Sequence, residues 1–136
     1  MAGFTPNEGE TLIGQVIFQR THVDMAATLE IGLFTNVSPG ETITEATITE
    51  PTGTGYARQT LVDANWTVTG GVATYSTTIT FTAGAGGWTG AVAGYFIASV
   101  GTTQRLMFVE EDGAAVAPFT MSENDEYRVT LSITIA

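Results

Sequence analysis

The chain has 136 residues, the usual length of one domain, and its lack of cysteine excludes disulfide bonds and thiolate metal sites. Its 14 carboxylates against four arginines give a formal net charge of −10, although charged residues make up only 13 % of the chain. Nucleic acids and anionic membranes are bound through basic surfaces, so this charge argues against both classes of partner.

The first residues contain no charged region followed by an apolar stretch, so the sequence predicts no secretory signal. No apolar run approaches the roughly 20 residues that a bilayer span requires. A chain without cysteine also suits a reducing compartment. We therefore expect a protein that is made and kept soluble in the cytoplasm of the producing cell.

The N-terminal segment, residues 1–22, contains the one helix that the sequence predicts, over residues 5–20. Thr5 and Pro6 suit the start of a helix. The apolar residues that recur at helical spacing are Leu12, Ile13, Val16 and Ile17. Such a helix either covers the sheet of its own chain or docks on a neighbouring protein, and the sequence leaves both open. These four residues are therefore candidates for a protein contact.

After His22 the apolar pattern changes to a period of two, which predicts strands. Residues 29–33 alternate clearly. Residues 36–55 are rich in turn-forming residues, and we predict only a short strand or an ordered loop at 43–48. Another strand is predicted over residues 56–62.

The clearest hairpin turns at Gly70 and Gly71, because two glycines tolerate the positive φ angles of a two-residue turn. Trp66 and Val68 alternate before the turn. The return strand, residues 73–81, has apolar side chains on one side and hydroxyl side chains on the other. This pattern is typical of an antiparallel strand with one face in water.

A glycine-rich loop, residues 84–87, leads to Trp88, which either caps the core or serves as an exposed anchor for a partner. Residues 93–100 are apolar on both faces and predict a central strand. Residues 105–110 and 127–135 predict the last two strands.

The sequence thus predicts an all-β chain of about seven to eight short strands with one N-terminal helix. The fold class that fits is an antiparallel β-sandwich or a small barrel over residues 28–136, preceded by the helical segment 1–22. No repeat, linker or low-complexity tail divides the chain, so we expect a single domain.

The residues offer no recognisable catalytic machinery. Nucleophilic catalysis needs an activated Ser, Cys or Thr, but cysteine is absent and His22 is the single histidine. Residues 110–112 and 123–126 are acidic, yet neither has the spacing of a calcium loop, and we interpret both as solvated carboxylates. We expect no enzyme, no metal site and no cofactor. An unrecognised pair of carboxylates is the one catalytic alternative that remains open.

Two runs of the sequence resemble a family of small virion structural proteins of tailed bacteriophages. They are Leu-Glu-Ile-Gly-Leu-Phe-Thr-Asn at residues 29–36 and Ile-Thr-Glu-Pro-Thr-Gly-Thr-Gly-Tyr-Ala-Arg-Gln at residues 48–59. Later signals of the same resemblance are Trp66, Thr-Phe-Thr-Ala at 80–83, Gly87-Trp88 and Gly-Tyr-Phe-Ile at 94–97.

The resemblance implies a structural part of a virus particle, synthesised in the host cytoplasm and localised in the virion. Within that group it implies a capsid cement or decoration protein, which binds the assembled shell and stabilises it. Its partners would be the major capsid protein or another virion protein, and it would form a homo-oligomer, with a trimer favoured. The family supplies no catalytic or cofactor residues.

Two alternatives stay open from the sequence. The first is a virion protein of the tail, neck or fibre. The second is a carbohydrate-binding β-sandwich module, for which Trp66, Trp88 and the tyrosines would supply stacking faces.

Overall fold

A computed structural model describes residues 3–14, 28–101, 103–112 and 118–134. Within this part the chain is mainly β, with one α-helix, eleven strands and a short 3-10 helix at Asp63–Asn65. The elements are α1 (Asn7–Gly14), β1 (Thr28–Phe34), β2 (Thr52–Gly53), β3 (Gln59–Leu61), β4 (Trp66–Thr69), β5 (Val72–Tyr75), β6 (Ile79–Thr82), β7 (Trp88–Thr89), β8 (Gly94–Val100), β9 (Arg105–Glu111), β10 (Glu126–Val129) and β11 (Ser132–Thr134).

The main sheet has four antiparallel strands in the order β3-β1-β8-β9. In its centre Ile31 of β1 lies opposite Ile97 of β8 and Gln59 of β3. Six of the seven residues of β8 are buried, because apolar groups cover both faces of the sheet. The central strand predicted from the doubly apolar run is thereby confirmed.

The opposing layer contains β4, β5 and β11 in one sheet and β6 with β10 in another. The predicted hairpin is present, since β4 pairs with β5 and both Gly70 and Gly71 have positive φ angles of 59° and 78°. The layer packs on one face of the main sheet and encloses the larger core. That core consists of Ile31, Leu33, Leu61, Tyr75, Ile79, Phe81, Ala83, Trp88, Val92, Tyr95, Ile97, Met121, Tyr127, Val129 and Leu131.

A second core lies on the other face of the main sheet, formed by Phe34, Ile43, Phe96, Ala98, Leu106 and Val109. Residues 35–51, which we name the cover loop, pack against it through Ile43 and Ile48. The phenyl ring of Phe96 lies so close to Gly32 that a Cβ there would be 2.5 Å from the ring. The guanidinium of Arg58 sits 4.8 Å from the centre of the same ring. The prediction of an ordered loop at 43–48 is confirmed, and the strand alternative is wrong.

The sheets form a sandwich and do not close into a barrel in the part of the chain that is described. The all-β class is therefore confirmed, in its sandwich form. The described residues form eleven strands, against about seven to eight predicted, because two predicted strands are interrupted and the two-residue strands β2 and β7 are additional. Residues 73–81 divide into β5 and β6, which are separated by residues 76–78.

The predicted helix is observed from Asn7 to Gly14, and its first residues therefore lie two positions later than expected. Leu12 and Ile13 are in α1. Val16 and Ile17, with the rest of the predicted helix to residue 20, lie outside the described residues, as does His22.

Candidate binding surfaces

The described part of α1 lies against its own chain. Phe4, just before it, pairs with Val109 of β9 through two backbone hydrogen bonds of 2.8 and 2.9 Å. Gly9 approaches β9 so closely that a Cβ would be 2.6 Å from the carbonyl oxygen of Leu106. The carboxylate of Glu8 accepts the amides of Leu106 and Glu45, at 2.5 and 2.9 Å. Of the two roles open to the helix, the residues up to Gly14 take the one of covering their own sheet.

Trp88 lies in the larger core and is only 4 % exposed. Its indole nitrogen donates to the carbonyl of Thr54 at 3.0 Å, and its ring meets Tyr56 edge-on at 5.3 Å between centroids. The indole therefore caps the core. The alternative of an exposed anchor, and with it the use of Trp88 as a stacking face for a sugar, does not agree with this burial.

A partly buried cluster of charges connects the cover loop to the main sheet; we name it the Arg58 cluster. Arg58 contacts the carboxylates of Glu45 at 2.7 Å and of Glu50 at 2.5 Å. The other oxygen of Glu50 accepts the phenol of Tyr56 at 2.5 Å, and the Glu45 amide donates to Glu8. The cluster consists of Glu8, Glu45, Glu50, Tyr56 and Arg58. No pattern in the sequence indicates that these residues meet.

Burial and charge shift the pKa values inside this cluster. Burial raises the pKa of Glu45, and contact with Arg58 opposes that rise without cancelling it. Burial also raises the pKa of Tyr56, with its hydrogen bond to Glu50 acting in the same direction. For Arg58 burial lowers the pKa, but the two carboxylates outweigh it and the net pKa is raised. The cluster holds a permanently charged arginine beneath the loop.

An apolar groove of about 630 Å³ opens between the main sheet and the strands β4, β5 and β11. Its walls carry apolar side chains of both layers that are not fully buried, namely Leu29, Trp66, Val68, Met107, Phe108 and Ile133. Val68 is 64 % exposed. The indole N–H of Trp66 is enclosed and has no hydrogen-bond partner. This groove is thus a partly exposed apolar surface formed by strands of both layers.

A smaller polar pocket of about 360 Å³ lies between the end of β9 and β10. Tyr95 donates its phenol to Glu110 there at 2.6 Å. Burial raises the pKa values of Tyr95 and Tyr127, and the carboxylates of Glu110 and Asp112 add to the effect. Both phenols thus remain protonated donors at neutral pH, and the carboxylates beside them serve as acceptors.

The carboxylates of the second acidic stretch, residues 123–126, contact residues that are close to them in the sequence. Asp125 accepts the amide of Ser122 at 2.8 Å, and Glu126 pairs with Arg128 at 2.6 Å. Both side chains of that ion pair are largely exposed, so it contributes little to stability. The prediction of solvated carboxylates agrees with this geometry for residues 123–126, whereas in the first stretch Glu110 is partly buried and accepts the phenol of Tyr95.

Over the described ranges, His, Asp and Glu side chains form no group of three that could hold a metal ion. No helix within those ranges is long and apolar enough to cross a membrane. A comparison of the chain with protein-family models and with curated proteins finds no match in either set.

Proposed function

We propose that this protein is a non-enzymatic structural component of a bacteriophage particle, a cement or decoration protein that binds the assembled shell and stabilises it. In this proposal its partner is the major capsid protein or a neighbouring virion protein, and it acts as a homo-oligomer, with a trimer favoured. Its net charge of −10 favours a basic partner surface.

The observation that supports the proposal most is that the two sequence runs behind the resemblance contact each other in the fold. Thr35 and Thr49 are joined by a backbone hydrogen bond of 2.8 Å. The phenol of Tyr56 accepts the amide of Leu33 at 3.0 Å. The two runs therefore form one contact region of this fold, and the proposal rests on the resemblance of both runs to the phage family.

The individual residues of the second run also have structural tasks. Gly55 has a φ of 85°, and a Cβ on Gly53 would be 2.6 Å from the carbonyl oxygen of Gly87. Glu50 and Arg58 pair within the partly buried Arg58 cluster. These roles concern the fold, and they supply no argument for catalysis.

A cement protein is expected to bind the lattice better than it binds free subunits, and it then stabilises the lattice by linkage. Repetition around a symmetric shell multiplies a modest contact into strong avidity. The experiment is quantitative mass spectrometry of purified particles of the phage that encodes this chain, with the major capsid protein as reference. Copies on the order of hundreds per particle are expected for a shell protein.

A copy number that is only a small multiple of the symmetry of the tail would overturn the shell assignment in favour of the tail, neck or fibre alternative. Absence of the protein from the particle would overturn the virion assignment itself. Particles assembled without the protein are expected to melt at a lower temperature than complete ones. Equal melting temperatures and equal resistance to pressure would contradict the stabilising role.

A further inference from the structure

The cover loop is fixed at its two ends and near its middle. At the ends, the amide of Thr49 donates to the side chain of Asn36 at 2.7 Å, and Thr35 pairs with Thr49. Near the middle, Ile43 is buried against the second core. The polar attachment of the middle is Glu45, whose amide donates to Glu8 and whose carboxylate contacts Arg58. The state of Glu45 therefore bears directly on how the loop is held.

The Arg58 cluster has more negative than positive groups. The cluster holds three carboxylates and one guanidinium, which contacts Glu45 and Glu50, while Glu8 is bound by backbone amides. Two negative charges are therefore in excess when all three carboxylates are ionised. Tyr56 is the remaining titratable group, and it is a neutral donor to Glu50. Excess charge in a partly buried site is relieved when the least satisfied carboxylate takes up a proton.

Glu45 is the least satisfied carboxylate of the three. Its Oε1 meets Arg58, but its Oε2 is enclosed and has no hydrogen-bond partner. Both oxygens of Glu50 are bonded, one to Arg58 and the other to Tyr56. Glu8 accepts two backbone amides. Leaving an enclosed acceptor unpaired is costly, and the cost is greater for a charged group than for a neutral one.

We propose that Glu45 is a pH-sensitive contact of the cover loop, which closes tightly over the second core when this carboxyl group is neutral and loosens when it is ionised. The direction follows from linkage. Burial raises the pKa of Glu45, and Glu50 and Glu8 add to that rise against the opposing effect of Arg58. The closed loop therefore binds the proton more tightly than an open loop, whose carboxyl titrates near its ordinary value of about 4.5. The stability that the protonated Glu45 gives the closed loop is therefore present at low pH. It is lost as the pH rises through the pKa that Glu45 has in the closed loop.

The test is amide hydrogen exchange of the intact chain by NMR between mildly acidic and neutral pH, corrected for intrinsic exchange rates. The reporting amides are those of Ile43, Ile48 and Thr49, which are all hydrogen-bonded within the loop. In the native protein we expect their protection factors to fall several-fold as the pH rises. One linked proton limits the change to about tenfold per pH unit. The amide of Ile97 in β8 is the internal reference and stays protected.

In Glu45→Gln the same amides are expected to keep high protection at every pH. Glu41→Gln, an exposed change in the same loop, is the matched control and is expected to keep the native dependence. A native loop with no pH dependence, or a Glu45→Gln protein with the native dependence, would overturn the proposal. The carboxyl titration of Glu45, followed by carbon NMR in the unaltered chain, is a second readout that needs no variant. A midpoint at or below the ordinary glutamate value would also overturn it.

Discussion

Tyr56 stands beside β1 at the place where backbone pairing with β3 stops. That pairing ends at Ile31 and Gln59, yet the next inward residue, Leu33, is fully buried and still needs a partner for its amide. The phenol oxygen of Tyr56 accepts this amide at 3.0 Å and donates its own proton to Glu50. One side chain thus completes the edge of the sheet and connects it to the Arg58 cluster.

We expect Tyr56→Phe to lower the free energy of unfolding by about 1–3 kcal/mol, because it leaves a buried amide unpaired. Tyr95→Phe is the matched control. It removes a phenol whose partner, Glu110, is only partly buried and can be hydrated, so a smaller loss is expected. Urea unfolding of the three proteins measures the difference. Equal losses for the two variants would contradict the role given to Tyr56.

The Arg58 cluster shows which part of a site a single sequence can reveal. The alternation of apolar residues identifies strands, and it correctly places residues 93–100 in the centre of the sheet. It contains no information on Glu45, Glu50 and Arg58, which lie outside the regular strands and meet only through the folding of the cover loop. The sequence shows only that positive charge is scarce, with four arginines among 14 carboxylates. Each arginine therefore has many candidate partners, and the sequence does not indicate which carboxylates Arg58 contacts.

At the scale of elements, the strands were predicted in the right regions but with the wrong lengths. The strand expected over residues 56–62 is reduced to β3, Gln59–Leu61, because Tyr56 and Arg58 use their side chains to bind other parts of the chain. Such interruptions depend on contacts between distant residues. The alternation of apolar residues along the sequence does not indicate these contacts, so fewer strands are predicted than the structure contains.

The close packing of α1 against β9 gives a prediction opposite to the one that helix propensity gives. Propensity alone expects Gly9→Ala to stabilise the helix by up to ~1 kcal/mol. The structure predicts a net loss of about 1–3 kcal/mol, because the new methyl group would overlap the backbone carbonyl of Leu106 and push the helix away from the strand.

Gly40→Ala is the control, since a Cβ at Gly40 meets nothing within 4 Å. Chemical unfolding of both variants separates the two expectations. A Gly9→Ala protein that is more stable than the native chain would show that α1 is not held against β9.

At the scale of the whole molecule, the main sheet separates two apolar cores. The larger core was predictable as a sandwich interior, because the inward residues of several alternating strands must face one another. The second core was not, because residues 35–51 form no regular element and their apolar residues show no clear period. The cover of that face is built from turns, side-chain hydrogen bonds and partly buried ion pairs.

Three phenols distributed over the molecule predict how it unfolds in alkali. Burial raises the pKa values of Tyr56, Tyr95 and Tyr127, and neighbouring carboxylates add to the rise. The fold therefore favours the neutral phenols, and the stability they contribute below pH about 10 is lost as the pH rises above the pKa of the unfolded chain.

We expect the tyrosinate absorbance of these residues to appear together with the loss of near-ultraviolet circular dichroism, as one event. The chain in concentrated urea serves as the control, and its phenols are expected to titrate near pH 10. Complete ionisation near that pH with the dichroism unchanged would contradict the burial described above.

The contact between Phe96 and Gly32 also makes the molecule sensitive to errors of strand pairing. A slip of one residue between β1 and β8 would place Ile31 or Leu33 opposite Phe96 and turn every side chain of β1 to the other face. The ring would then have no room where Gly32 now leaves it, and Arg58 would lose the aromatic surface on which it rests. A chain with the wrong register would leave its charged cluster unassembled and its second core uncovered. The contacts of the cover loop therefore stabilise the correctly paired sheet and are lost in a sheet with a slipped register.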